Sequence, residues 1–567
     1  MPDREDVDVL VVGGGAAGAR AAIEAHDCGA SVVLACKGPL ARSGTTPQAW
    51  PSMQVAFGAE DPRDGPGVHF HDTVREGRML GDENLVWALV SDAQDRVRDL
   101  ERYGVKFERK NGQFLQVRHP GQTYPRNLVI KGAGYGLVSG LSREVRRRAS
   151  IRVMPDAILT RLLLAEGRAV GATVLDLRRG LLAEIRAKAT VLCTGGYEQL
   201  WGITDTSPDT TGDGIALAYR AGAELVDMEM MLYYPAVIVH SYGELNGTLV
   251  QYESLLAAEY LAGRMLNANG EEFLPPGPPP ARDILSRLMF DEIRAGRGTK
   301  NGALRIDLTK SPKSPTEIDD WLDRLQTLPY DNLRELGIDV KAEAIEVAPG
   351  THFALGGIHI NERCETTVPG LYAAGEVAGN LHGANRVSGN ALTETQVFGA
   401  RAGRSAAQEA AHSTTLCEPD PDHVTAEHER VVSLMRPRKD GLRPLAVRRE
   451  IKALMDRYVG MPRDSGGLTR ALGEVRRLRS EDLPRVQVEG PLVFNNEWRE
   501  AIEVDLMLDT AETVIVSALL RTESRGHHQR SDYPKSSDQW LRHTAVRSVD
   551  SGLASYVTEV TRSTREP

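Results

Sequence analysis

Arg386 closes an HGANR segment at 382–386 and follows Glu376, the last residue of the strand-like GLYAAGE at 370–376. The two residue types have complementary chemistry. A guanidinium presents a rigid fork of donors that fits a carboxylate, whereas an acid ending a strand of a dinucleotide domain can accept from a ribityl or ribose hydroxyl. Ser388, Gly389 and Asn390 come next and precede the helix-prone ALTETQVFGARAG at 391–403. The free N–H groups at the start of such a helix favour an anion or a developing negative charge. An oxidised flavin, which becomes negative at N1 and O2 on reduction, answers that description, with a substrate carboxylate beside it.

The element that must hold such a cofactor is at the other end of the chain. DVDVLVVGGGAAGARAAIEAHDCG at 6–29 is an apolar strand, a GxGxxG turn at Gly13, Gly15 and Gly18, and an alanine-rich helix. Strand before and helix after turn a weak glycine motif into a strong dinucleotide signal. The second strand, SVVLACKG, ends in Ala35, Cys36 and Lys37, where a generic fingerprint places Asp or Glu on the ribose; this weakens an NAD reading.

With these residues in hand, the chain resembles the flavoprotein subunits of succinate dehydrogenase and fumarate reductase, together with L-aspartate oxidase, along almost its whole length. The blocks that carry the resemblance are the GxGxxG start, ARSGTT at 41–46, VLCTGGY at 191–197, TGDGIALAYRAGAELVDMEM at 211–230, ARDILSR at 281–287, THFALGGI at 351–358, HGANR and RTESRGHHQRSDYP at 521–534. At roughly 150 residues per domain, 567 residues would make about four units. The resemblance implies fewer: an α/β, Rossmann-like FAD-binding domain in two parts (1–227 and 355–415), an inserted α+β capping domain (228–354), a helical C-terminal domain (416–530) and a C-terminal tail (531–567). Apolar residues at three and four spacing between charges in 423–460 and 467–480 support the helical domain independently. The proline-rich FLPPGPPPARD at 273–283 cannot continue a helix and is expected at a lid edge.

The resemblance assigns FAD to Gly13, Gly15, Ala16, Ala17 and Gly18, to Cys36 and Lys37, to Ser43, Gly44 and Thr45, to Thr194, Gly195 and Asp213, and to Glu376, Ala391 and Leu392. It makes Arg386 and His352 the clamp of a substrate carboxylate. It also makes Arg282 the group that exchanges a proton with substrate carbon while hydride passes between the adjacent carbon and flavin N5. Arginine stays protonated at neutral pH, so Arg282 suits donation, and hence saturation of a C=C bond, better than abstraction. Asp283 and Arg287 flank it and are expected to orient it and to add local positive charge.

Two departures limit how far substrate identity carries over. Covalent relatives attach FAD through a histidine at the position of Gly44, so FAD is expected to be noncovalent here. Dicarboxylate-using relatives read FHPTG where this chain has LYYPAV at 232–237, so Tyr234 replaces a histidine that helps hold the second carboxylate. Tyrosine carries no positive charge, and an unpaired buried carboxylate is costly. GTLVQYESLL at 247–256 offers Gln251, Glu253 and Ser254 nearby without a fixed register. One carboxylate clamped by Arg386 and His352, with a far end that is neutral, larger or differently charged, is the resulting expectation.

Composition excludes several other classes. The net charge of −10 is spread over mixed signs, and Arg146–Arg148 reads as a solvated helix face, so no nucleic-acid role is expected. The five cysteines lack CxxC spacing, arguing against a disulfide framework, zinc or an iron–sulfur cluster within the chain. His69 with His71, and His527 with His528, have no acidic or cysteine partner at ligand spacing, so no metal is expected, and His528 is expected to pack structurally. No apolar run approaches ~20 residues and the acidic start runs directly into the first strand, giving a cytoplasmic expectation without membrane insertion. An iron–sulfur protein is the expected electron-transfer partner if a protein serves. Two alternatives stand beside a C=C reductase: an amino-acid oxidase of the L-aspartate oxidase kind, and a flavin electron-transfer subunit without its own small-acid substrate.

Overall fold

The computed structural model describes residues 3–239, 246–325, 327–413, 415–550 and 552–563. Its largest sheet is centred on the strand Asp3–Val12, which lies parallel to both Val32–Ala35 and Leu181–Leu192. Ile151–Met154 extends the parallel side, and Arg168–Asp176 and Ala157–Ala165 add antiparallel strands beyond Leu181–Leu192. Leu371–Ala373 comes back late in the chain to pair with the end of Leu181–Leu192, in register from Thr190 opposite Leu371 to Leu192 opposite Ala373. That return brings Glu376 to the same edge as the glycine turn. Strands covered on both faces need continuous apolar side chains, and all four residues of Val32–Ala35 are buried.

The helix Ala16–Asp27 packs closely on the helix Asn390–His412. Glycine permits the approach: a β-carbon on Gly399 would stand 2.7 Å from the Ala17 carbonyl oxygen, and one on Gly403 2.2 Å from that of Ala21. The two segments that bracket the candidate site, remote in sequence, are thus locked together backbone to backbone.

A second, antiparallel sheet runs in the order Met231–Ile238, Ile345–Ala354, Leu304–Asp307, Arg264–Leu266. The helix Arg282–Glu292 lies against its first strand. Pairing between Met231–Ile238 and Ile345–Ala354 slips on either side of the Tyr233–Tyr234 pair, and Pro235 within the strand has no N–H to give a ladder. This irregularity sits where the sequence departs from FHPTG.

The helices Pro421–Ser433, Pro444–Tyr458, Ser465–Arg477 and Asn496–Leu520 follow. Asp420, Asp464 and Asn495 cap three of them by accepting from first-turn N–H groups. Asn496–Leu520 is buried along most of its length between its helical neighbours and Asp213–Arg220. The architecture is α/β, with a Rossmann-like sheet, an α+β cap and C-terminal helices. The segment 531–567, expected as a tail, departs from that expectation. Arg542–Val549 and Gly552–Glu559 form a hairpin whose first strand pairs with Leu225–Val226, which in turn pairs with Gly357–Ile358. Thr544, Ala545 and Val546 bury their side chains there, a pattern too short and mixed to read as a strand beforehand.

Candidate active site

At the C-terminal edge of the parallel strands lies a cleft of about 900 Å³, open to solvent. Its walls include Gly13, Gly15, Ala16, Ala17, Lys37, Ser43, Gly44, Thr45, Thr194, Gly195, Asp213 and Glu376. Thr46, at the end of the ARSGTT block, lines it as well, as do Asp209 and Thr395, which carried no sequence signal. The donor set fits a dinucleotide. The helix Ala16–Asp27 starts at Gly15, which has no side chain to cap it; Thr46 Oγ1 accepts from the Ala16 N–H at 3.2 Å, and the next N–H groups remain for an anion in the cleft. The hydroxyls of Thr45 and Thr194 are buried without a partner among the described residues. Lys37 donates to Asp213 Oδ2 at 2.7 Å and to Thr211 Oγ1 at 2.8 Å, and faces Glu503 Oε1 at 3.0 Å. Burial opposes its charge, but Asp213 and Glu503 outweigh burial and hold its pKa above the ordinary lysine value.

Four of the expected cofactor residues lie outside these walls. Cys36 is fully buried behind the turn, its thiol under Gly14, where a β-carbon would meet Sγ at 2.7 Å. Gly18 faces the sheet: a β-carbon there would stand 1.8 Å from the Gly13 carbonyl oxygen, so its glycine serves helix–strand packing. Ala391 and Leu392 sit at the start of Asn390–His412, where Gly389 occupies the cap position at φ 95°. Glu376 accepts from the Ala354 N–H at 3.0 Å beside Glu198, which accepts from the same N–H at 2.9 Å. Burial, and next Glu198, push Glu376 well above the usual carboxylate range.

The second part of the site is a charged cluster between the cap sheet and the HGANR loop. Arg386, buried, directs Nη2 at His352 Nε2 at 3.3 Å and lays its guanidinium over the Phe353 ring at 4.3 Å. Its Nε has no partner, and no carboxylate forms an ion pair with it among the described residues. Burial, and next the charge of Arg282, bring its pKa down to about 10. His352 Nδ1 lies 2.7 Å from Asp205 Oδ2. The Tyr234 and His352 rings are 5.3 Å apart, and Arg282 stands over the Tyr234 ring at 4.9 Å. Arg282, His352, Arg386 and Tyr234 therefore converge from separate stretches of chain.

Asp283 and Arg287 do not act as expected beside Arg282. Asp283 accepts from Arg78 at 2.7 Å, and Arg287 faces Asp291 at 3.5 Å on a more exposed surface. Successive helix residues point about 100° apart, so neighbours in sequence are not neighbours on a face. The partner of Arg282 is Glu253, whose Oε1 lies 3.4 Å from Nη2 while Oε2 accepts from the Tyr234 hydroxyl at 2.8 Å. Burial opposes the Arg282 charge, but Glu253 outweighs it and keeps the guanidinium protonated.

Asp205 and His119 escape sequence reasoning. His119 pairs Nδ1 with Ser388 Oγ at 3.0 Å, and the charges of Glu253 and Arg282 both reach it. Neither residue belongs to a motif, and only the folded chain brings them to the cluster. The histidines weighed as metal ligands have other partners: His69 Nε2 meets Asn390 Oδ1 at 2.8 Å, and His528 Nε2 the Arg521 carbonyl at 3.3 Å. Among the described residues, no group of three His, Cys, Asp or Glu side chains could hold a metal ion, and no helix is long and apolar enough to cross a membrane.

Comparison with known proteins agrees with this geometry. Residues 8–392 match the FAD binding domain family, and residues 448–564 match the fumarate reductase flavoprotein C-terminal family. A chain of the CoM/CoB fumarate reductase of Methanothermobacter marburgensis is 37% identical over 95% of this chain and 96% of its own length. The fumarate reductase flavoprotein subunit of Mycobacterium tuberculosis is 32% identical over 96% of this chain and 95% of its own. Among solved structures, Mycobacterium smegmatis Sdh1 in complex with UQ1 superposes with a TM-score of 0.90 at 31% identity, covering 99% of this chain and 95% of that one. The cofactor for which the cleft is built is FAD, and the chain belongs to the family of fumarate reductase and succinate dehydrogenase flavoproteins.

Proposed function

We propose that this protein is an FAD-dependent oxidoreductase that saturates the C=C bond next to a carboxylate of a small organic acid. The observation that carries the reading is the convergence of two differently partnered arginines: Arg386, without a carboxylate of its own among the described residues, and Arg282, held protonated by Glu253. Arg386 and His352 bind and orient the substrate carboxylate, where charge-assisted bonds are strong in a dry site. FAD, held noncovalently against the glycine turn, Ser43–Thr45, Thr194 and Glu376, supplies two electrons as hydride when bound and reduced. Arg282 Nη2 delivers a proton to the carbon beside the carboxylate, whose developing negative charge makes it basic enough to take it. Glu253 holds the guanidinium in place and, on taking up a proton from solvent, is positioned to pass it to Arg282, and Tyr234, bonded to Glu253, fixes the position of that side chain. A separate electron-transfer protein, of the iron–sulfur kind, would keep the flavin reduced.

Noncovalent attachment predicts complete release of flavin into the supernatant on acid precipitation. The function itself is tested by titrating small acids anaerobically against oxidised and dithionite-reduced enzyme while recording flavin absorbance. Reoxidation of the reduced flavin by unsaturated acids is expected; bleaching of the oxidised flavin by amino acids, with no response to unsaturated ones, would overturn the proposal in favour of an oxidase.

A further inference from the structure

We propose that Arg78 is a positioning residue for the chemical step: from a strained turn at 77–81 it anchors the first turn of the helix Arg282–Glu292, and so places Arg282 relative to the clamp at Arg386. This role rests on the C=C reductase reading above. Three separate observations meet at the turn. The first is its backbone. Arg78 at φ 56° and Met79 at φ 61° are consecutive residues in the left-handed region, which L side chains avoid. Such strain persists only where the surroundings over-determine it, and it gathers at functional sites. Here both carbonyls of the strained pair are held from the C-terminal part of the chain: Arg525 Nη1 donates to the Arg78 oxygen at 3.2 Å, and Arg562 Nη2 to the Met79 oxygen at 3.0 Å.

The second observation is the seat of this turn on the HGANR loop. The Ala384 N–H donates to the Gly77 carbonyl at 2.9 Å. The two backbones approach so closely that a β-carbon on Gly383 would stand 2.3 Å from the Gly77 oxygen, and one on Gly81 2.5 Å from the Leu381 oxygen. The turn is therefore fixed to the loop that carries Arg386. The third is the reach of Arg78 itself. Its Nη2 donates to Asp283 Oδ2 at 2.7 Å, and Asp283 is buried in the first turn of the helix, one residue after Arg282. Burial opposes the Arg78 charge, but Asp283 and then Glu76 outweigh it. Glu253 holds the Arg282 guanidinium, whereas Arg78, acting through Asp283, holds the start of the helix from which that guanidinium extends. A continuous link thus runs from the Arg386 loop through the strained turn to the Arg282 helix. Such a link fixes the separation of carboxylate clamp and proton donor, where a misplacement of about 1 Å costs on the order of 100-fold in rate.

Arg78→Gly removes the guanidinium at a position whose φ glycine adopts freely, so the turn and its seat on the HGANR loop are kept. Reoxidation of dithionite-reduced enzyme, checked for flavin content, is followed with whichever of fumarate and crotonate reacts faster with the wild type. In Arg78→Gly, kcat should fall roughly 10- to 100-fold while KM stays within about threefold, because the clamp is untouched. Arg78→Lys, still able to reach Asp283 as a point charge, should recover at least about threefold of that loss. Asp283→Asn should lower kcat similarly, and combining it with Arg78→Gly should lower it no further. Arg287→Gln, which removes an exposed arginine from the same helix, should change neither constant. In amide hydrogen exchange, peptides spanning 282–292 should exchange faster in Arg78→Gly than in the wild type, and those spanning 381–386 should not. Unchanged exchange over 282–292 would overturn the anchor whatever the substrate, and faster exchange there with wild-type kcat, or a loss confined to KM, would overturn its role in the chemical step. Failure of both acids to reoxidise the wild-type flavin would overturn the reductase reading, and exchange over 282–292 would still decide the anchor.

Discussion

Arg386 Nη2 lies 3.3 Å from His352 Nε2, and this contact fixes the tautomer of the histidine. A guanidinium has no acceptor, so Nε2 must accept and the ring proton must reside on Nδ1, which points at Asp205 Oδ2 2.7 Å away. In the proposed clamp Asp205 is therefore a positioning residue that acts through His352. Asp205→Asn keeps the shape but can present an N–H where a carboxylate oxygen was. Losing one charge-assisted hydrogen bond is worth about 1.5–3 kcal/mol, so KM for the acid should rise roughly 10- to 100-fold. Flavin content and flavin absorbance should stay those of the wild type. An unchanged KM would remove Asp205 from the positioning role.

Arg282 is predicted to act in the chemical step. Replacing it with alanine should lower kcat by roughly 10²- to 10⁴-fold, the usual span for loss of a general acid, while FAD stays bound. Glu253→Gln tests the pair from the other side. It leaves the hydrogen-bonding shape but removes the charge that holds Arg282, so its loss should fall mainly on kcat. Pre-steady-state reoxidation of the reduced flavin separates this from a binding defect: an amplitude retained at a lower rate marks chemistry. Wild-type rates in Arg282→Ala would sink the proton-donor assignment.

The FAD half of the site is legible in the sequence because its chemistry is done by backbone, and backbone demands leave glycines at fixed spacings. Gly13 and Gly15 line the cleft as expected; Gly18 carries the same motif but answers to packing, and a motif cannot distinguish the two. The convergence of Arg386, His352 and Arg282 follows the expectation from the resemblance. The placement of Glu253, Asp205 and His119 beside them has no such signal. Glu253 reaches the cluster from the short helix Tyr252–Leu256, and Asp205 from a loop that crosses to Thr351, and neither device has a residue pattern of its own. His119 is brought in by its bond to Ser388, 269 positions along the chain. Asp283 misleads because adjacency in sequence is not adjacency on a helix face. The C-terminal hairpin hides because its burial is asymmetric, buried at Thr544–Val546 and exposed along much of Gly552–Glu559.

The proposed role of Arg386 as carboxylate clamp predicts a pH limit on substrate affinity. Burial, then Arg282, bring its pKa down to about 10, and only the cation binds a carboxylate well. Binding of a saturated monocarboxylate to the oxidised enzyme, read as a flavin difference spectrum, should be constant at neutral pH and weaken as pH rises through about 10. Arg282→Ala removes one of the two causes, so the same break should move to higher pH. A break that stays in place would show that the charge of Arg282 does not reach Arg386.

The C-terminal hairpin is held by a titratable contact that predicts a second pH effect, on stability. His543, buried on the hairpin, pairs Nδ1 with Asp227 Oδ2 and faces Asp82 at 3.9 Å, while Arg521 also donates to Asp227. Burial opposes the imidazolium, but Asp227 and then Asp82 outweigh it and raise its pKa from 6.5 to about 9. A folded pKa raised above the unfolded one contributes stability that is complete below about 6.5 and is lost as pH rises through about 9. The shift corresponds to roughly 3 kcal/mol at most, since each pKa unit is worth about 1.4 kcal/mol. His543→Gln cannot take up that proton. The difference in urea-unfolding free energy between wild type and His543→Gln should therefore be largest near pH 6 and shrink steadily toward pH 10. A difference that does not vary with pH would mean that the histidine packs there as a neutral ring and that Asp227 is balanced by Arg521 alone.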